Sequence, residues 1–518
     1  MQVKQKTQPY DTFDPVFDGS FEVPIDTEYN LPDYCPDIQK VLKCRVVPEL
    51  SSYGVSEDTL RCEGVCDIRV LYLDAKGETL RCCDFTKEFS AAIKVKSAQE
   101  KAVAWVRASV EHITCRAVNA RRLDLHLAVS LKALAVVQRQ EQLTSGLEGE
   151  GIQVRGERHS VSQAVNSLSH QFTLEDRLPL KNGKPPMESI LRKEISCRVT
   201  DCKLAQGQLA VSGRADISFL YLSSVDGSLE KMAASVEFSQ VIECAGASED
   251  CLCDLRVVAG ESSLQPREDD VGEYTSVDVS LKVFLTAFLY QPCEVELVSD
   301  AFSTQAPMDL RFAQSSLLAV QEVYSEVLKK KCTLTATEEE IQKVVDLWCE
   351  QEGVQSTCGE GKLSYRVRYT LCLLYRGTSG RLLYLEKSFE GTFATELEGA
   401  FAQRSDSVSL TGLWEYRIAD KNTVEASVET WVSSLLYSRE SVSYLSSAGM
   451  GENAQPYPHQ PQLLVVLRLP RGEAVGHRQK PPGAALGFAG AERPVRGYAA
   501  GRPAPDNLQP IKHTAVER

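Results

Sequence analysis

One spacing occurs three times in this chain, and it limits the folds available. Tyr72 in "IRVLYLD" stands thirty-one residues after Val41, Tyr221 in "ISFLYLS" the same distance after Ile190, and Tyr375 in "TLCLLYRG" the same distance after Val344. An internal period of this kind marks a chain built from one supersecondary unit copied in tandem. Later segments keep step: "KEFSAAI" around Phe89, "VEFSQVI" around Phe238 and "KSFEGTF" around Phe389. Each copy then closes on an alternating run, "LDLHLAVSLKALAVV", "TSVDVSLKVFLTAF" and "VEASVETWVSSLLY". The copies are roughly 150 residues each, an ordinary domain size.

Within a copy the dominant period is two. Leu123, Leu125, Leu127, Val129 and Leu131 fall on one face of their run, the pattern of a half-buried strand. Val, Thr, Tyr and Phe enrich such runs, and turns such as "AKGE" and "VDGS" separate them. The expected fold is mostly β: three tandem β-rich, sandwich-like repeat domains at residues 1–145, 146–312 and 313–450, then a linker and disordered tail at 451–518. The "IQKVL" segments fit either a single helical turn or entry into the first strand, so helix content is expected to be low.

Composition narrows the function. At 43% hydrophobic and 25% charged, the chain is not disordered wholesale. A formal net charge of −14 repels nucleic acid and anionic membrane surfaces, so no nucleic-acid partner is expected. There is no signal-peptide core at the start and no apolar run long enough for a transmembrane segment. The seventeen cysteines lie scattered in strand-like runs and read as buried reduced thiols in a cytoplasmic protein.

No constellation suggests an enzyme, a cofactor or a metal, and no catalytic residue is expected. "STCGEGKLSY" holds a Gly-Lys pair, but a phosphate loop needs Gly where Ser356 stands and Ser or Thr where Leu363 stands. His112, His126, His159, His170, His459, His477 and His513 never meet metal-ligand spacing. Cys62 and Cys66, Cys82 and Cys83, and Cys251 and Cys253 are close in sequence, but none forms CxxC. The carboxylates of "REDDVGEY" and "TEEEIQ" read as solvated turns or helix starts. The recurrent tyrosines Tyr72, Tyr221 and Tyr375 read as a shared packing position, and the partner-binding residues stay unknown.

The segments "VPIDTEYNLPDYCPDIQKVLKCRVVPEL", "EGVCDIRVLYLD" and "FTKEFSAAI" resemble the SPOCS domain of spore-coat-associated proteins from endospore-forming Firmicutes. "FTLEDRLPLKNGKPPMESILRKEISCRV" resembles it strongly and "EEEIQKVVDLWCEQEG" more loosely, so the resemblance spans most of residues 20–445. The SipL type carries such units followed by a LysM module. The resemblance implies a non-enzymatic scaffold in coat assembly, in the mother cell at the forespore surface, docked on a coat morphogenetic ATPase.

As written, the end of the chain has no LysM module. From Leu467 it is rich in Gly, Pro, Ala and Arg, with nine Lys/Arg against four acids. Shifted by one base, however, its codons permit "YACPGEKRWDIAKSR", "NGLSGDTLP" and "GGLLLI" in that order, which resembles a LysM module. A single extra base near the codons for Val466 and Leu467 would convert the module into this tail. LysM modules elsewhere recognise N-acetylglucosamine polymers, so a peptidoglycan-binding envelope protein is the alternative reading.

Overall fold

The computed structural model describes residues 3–77, 79–96, 101–181, 183–359, 361–397, 403–404 and 408–450. Everything from 451 onward, including the tail and its possible LysM module, lies outside the described residues. No helix occurs among those described, so none is long and apolar enough to cross a membrane. The strands fall into three successive sets. The first holds β1 (Lys4–Asn30), β2 (Ile38–Ser56), β3 (Thr59–Asp74), β4 (Leu80–Lys94), β5 (Val103–Asn119) and β6 (Arg122–Glu148). The second holds β7 (Ile152–Pro179), β8 (Met187–Ala205), β9 (Gln208–Ser223), β10 (Leu229–Glu243), β11 (Leu252–Glu268) and β12 (Tyr274–Ser303). The third holds β13 (Met308–Thr335), β14 (Ile341–Gly359), β15 (Lys362–Gly377), β16 (Leu382–Glu396), the short β17 (Gln403–Arg404), β18 (Val408–Asp420) and β19 (Thr423–Met450).

Each set makes two antiparallel sheets in the same way. The first, last and fifth strands pair in that order, as in β1-β6-β5 and β7-β12-β11, and the second, third and fourth pair as β2-β3-β4, β8-β9-β10 and β14-β15-β16. In the third set β17 and β18 both pair with β19, together taking the place of the fifth strand. The two sheets of the first set face each other across one core, where Leu123, Leu125, Leu127, Val129 and Leu131 of β6 meet Leu60, Ile68, Val70 and Tyr72 of β3. Inward and outward residues alternate as a β-sandwich requires. The sandwich expected from period two is the one found.

The "IQKVL" segment is strand. It escapes a plain reading because β2 carries bulges between Ile38 and Lys40 and between Val41 and Lys43. Each bulge adds a residue and breaks the alternation, giving apolar positions a helix-like spacing. β8 and β14 repeat both bulges at Met187/Ser189 and Ile190/Arg192, and at Ile341/Lys343 and Val344/Asp346. The second bulge turns Leu42, Leu191 and Val345 away from their own sandwiches, and all three join another cluster.

The first and last strands of every set run to 27 residues or more. That is well beyond the usual strand of about six residues. The surplus forms a two-stranded ribbon: Lys4–Pro15 pair with Val136–Glu148, and β7/β12 and β13/β19 do likewise. A lone ribbon is marginal in water, so three ribbons packed on one another solve a problem that each set has alone.

Candidate functional site

The three sets meet at one junction. At its apolar end Leu71, Leu73 and Leu80 pack with Leu191, Leu220, Leu222 and Leu229 and with Trp348, Cys372, Leu374 and Leu382. Six of them, Leu71, Leu73, Leu220, Leu222, Cys372 and Leu374, alternate along β3, β9 and β15 with core residues. Val70 and Tyr72 point into the first sandwich while Leu71 and Leu73 point into the junction. A strand apolar on both faces is buried on both faces, and "VLYL", "FLYL" and "CLLY" carry that signal in the sequence.

Beside the leucines lies a polar layer built from one equivalent position per set. Lys43 pairs with Leu71, Arg192 with Leu220 and Asp346 with Leu374 in their ladders. Only the third set puts an acid there. Its carboxylate is fully buried and lies 2.7 Å from Arg192 Nε and 2.7 Å from Lys231 Nζ, both from the second set. Burial pushes the Asp346 carboxyl up, but the Arg192 and Lys231 charges outweigh it and hold it below the usual carboxylate range. The Arg192 guanidinium also sits 4.9 Å over the Trp348 ring, a cation–π contact that helps replace its lost water.

The remaining pairs close the circle. Lys43 of the first set reaches Glu350 at 3.1 Å and Glu386 at 2.8 Å in the third. Arg45 donates to the Lys193 carbonyl of the second set at 2.6 Å. Lys193 in turn lies 3.4 Å from Glu49 and 3.2 Å from Asp67, and Ser262 donates to Glu49 through both Oγ and the backbone N–H, at 2.6 and 3.0 Å. Burial raises the Glu49 carboxyl above its ordinary value despite Lys193 and Ser262, which pull the other way. Each pair of sets is thereby tied by charge-assisted hydrogen bonds, the stronger kind.

The ribbons complete the junction. Tyr10, Leu143, Val161, Val295, Leu297, Leu317 and Val442 form one buried cluster drawn from all three sets. The fully buried Tyr10 hydroxyl accepts from the Leu318 backbone N–H at 3.0 Å, and Ser162 Oγ accepts from that of Val320 at 3.0 Å. Phe13 meets Phe288 and Tyr290 edge-on, with ring centroids 5.8 and 5.2 Å away. The chain thus makes internally the kind of contact that three separate subunits would make.

Apart from Cys82, which packs against the junction leucines, the residues singled out in the sequence lie apart from this junction or serve the sandwiches. Tyr72 and Tyr221 are buried, and their hydroxyls donate to the Pro36 and Pro185 carbonyls at 3.1 and 3.0 Å. They thereby anchor the loop before the second strand. Tyr375 is buried at the matching position. Phe89 and Phe238 correspond, each lying over a cross-strand glycine, Gly64 and Gly213. Phe389 instead pairs with Tyr369, and a glycine, Gly391, faces Val367, so the third copy has slipped its aromatic by two positions.

Other candidates stay separate. His112 contacts Thr114 at 3.0 Å, His126 contacts Asp26 at 2.7 Å, His159 contacts Glu440 at 3.4 Å and His170 lies beside Phe172. His459, His477 and His513 lie outside the described residues. Gly361 takes a φ of 73° at the turn into β15. Asp269 of "REDDVGEY" accepts backbone N–H groups from Val271 and Glu273 at 3.0 Å, closing its turn. Glu339 of "TEEEIQ" accepts from Ser379. None of the seventeen cysteines forms a disulfide, and among the described residues no group of three or more His, Cys, Asp or Glu could hold a metal ion.

A family model described as SipL, SPOCS domain matches residues 37–118 and 163–264. Those ranges take in β2 to β5 of the first set and most of β7 to β11 of the second. The third set lies outside the matched residues and repeats their strand pairing. No curated protein and no solved structure matches the chain. The family is not a known enzyme family, and it points to a role related to sporulation. The chain is a SPOCS-domain protein of the SipL type.

Proposed function

We propose that this chain is a non-enzymatic scaffold in endospore formation. It acts in coat assembly in the mother cell, at the forespore surface, and its partner is a coat morphogenetic ATPase. The observation that carries the reading is the family match on the first two sets of strands. The junction supports it, because three sandwiches fixed to one another offer a partner a rigid surface at little entropic cost on binding. Surface loops, where the three copies differ, are the favoured place for that contact.

The test is a tagged chain expressed in sporulating cells, both as written and with the reading frame after Val466 restored. Co-purification of the coat ATPase and a ring of signal around the forespore support the scaffold. Retention of the frame-restored chain on purified peptidoglycan, with no coat protein recovered, would replace it with the glycan-binding reading.

A further inference from the structure

Two pairs of cysteines face each other across a seam that no ladder closes. In each sandwich the second and fifth strands border different sheets. They run antiparallel from a common end, where Ile38 N–H donates to the Ala120 carbonyl at 2.8 Å. Six residues along β2 from Ile38 stands Cys44, and five back along β5 from Ala120 stands Cys115. Both pack on the same core cluster. In the second set Cys202 stands on β8 and Cys253 on β11, the same two border strands. Measured on the neighbouring ladders, Cys44 opposite Val70 and Cys115 opposite Leu125 lie level in the first set, and in each pair the thiols are close enough to shift each other's ionisation.

We propose that Cys44–Cys115 and Cys202–Cys253 are two redox sites, each a dithiol that peroxide-class oxidants convert to a disulfide joining the two sheets of its sandwich. One member of each pair suits the first step. Cys202 is exposed and Cys115 partly exposed, and the neighbouring partner thiol lowers the pKa of each. The thiolate attacks a peroxide oxygen, the O–O bond breaks, and sulfenic acid forms with release of water once a proton is taken up. The partner thiol, losing its proton, then attacks that sulfur and expels a second water as the disulfide forms. Two electrons pass from the dithiol to the peroxide. Because the second and fifth strands belong to separate sheets, the new bond clamps a seam that no backbone ladder closes.

The test exposes the reduced full chain to hydrogen peroxide, blocks remaining thiols with N-ethylmaleimide, and maps cross-linked peptides by proteolysis and mass spectrometry. Two cross-links are expected, 44–115 and 202–253, both removed by dithiothreitol. Cys253→Ser should abolish only the second and leave Cys202 as a sulfenic acid that dimedone traps. The intact 44–115 link reports that this variant has folded. Recovery of all four thiols blocked by N-ethylmaleimide, or Cys202 joined indiscriminately to other cysteines or other chains, would overturn the proposal.

Discussion

Asp346 is the residue on which the junction most depends. Its equivalents in the other two sets are the bases Lys43 and Arg192, so three identical copies could not make this layer. A buried ion pair is weak evidence of net stability, but removing one partner is costly because a buried charge is left alone. Asp346→Ala should therefore destabilise the chain by about 3–5 kcal/mol, read from urea unfolding. The pH dependence has a definite sign. The folded carboxyl titrates below its unfolded value, so its contribution is full above the ordinary carboxylate range and fades as pH falls through the folded value. Asp346→Asn should flatten that acid limb, seen as a smaller loss of melting temperature on acidification. In the ribbons, Tyr10→Phe leaves the Leu318 N–H without its acceptor. It should cost about 1–3 kcal/mol, the penalty for an unmet buried donor.

At the scale of elements, the bulged second strand and the glycine-aromatic pair do the shaping. A Cβ on Gly64 would lie 2.5 Å from the Glu49 carbonyl oxygen and 2.5 Å from the Phe89 ring, and one on Gly213 would meet Arg198 O and Phe238 as closely. Backbone cannot step aside as a side chain can, so Gly64→Ala and Gly213→Ala should each cost about 1–3 kcal/mol in thermal or urea unfolding. Gly391→Ala should cost less, since its nearest neighbour is the Phe393 ring at 2.8 Å. The sandwich was legible in the sequence because period two survives in strands such as β6. The entry strand was ambiguous because its bulges space Ile38, Val41 and Leu42 as a helix would. The slip of Phe389 shows in its spacing, fourteen residues after Tyr375 against seventeen in the other copies, but a shorter turn would leave the same trace.

At the scale of the molecule, the repeat was visible from three spacings and the junction was not. Its residues are ordinary leucines and charges whose partners lie in other copies, far away in the chain. The doubled burial of "VLYL" and "FLYL" was the one local sign of it. Cross-strand thiol pairs were hidden for the same reason, since Cys44 and Cys115 are remote in sequence. The junction predicts that the sets do not melt independently. Leu220→Asp places a charge among the leucines of all three sets, and in the full chain it should give a lower and broader melting transition, followed by circular dichroism.

Hydrogen exchange by mass spectrometry on the full chain carrying Asp346→Ala tests the central claim most directly. The three sandwiches are held as one body by their shared junction, so protection should fall in β3 around Leu71 and β9 around Leu220 as well as in β15. Loss of protection confined to the third set, with β3 and β9 unchanged, would show three independent domains and contradict the account.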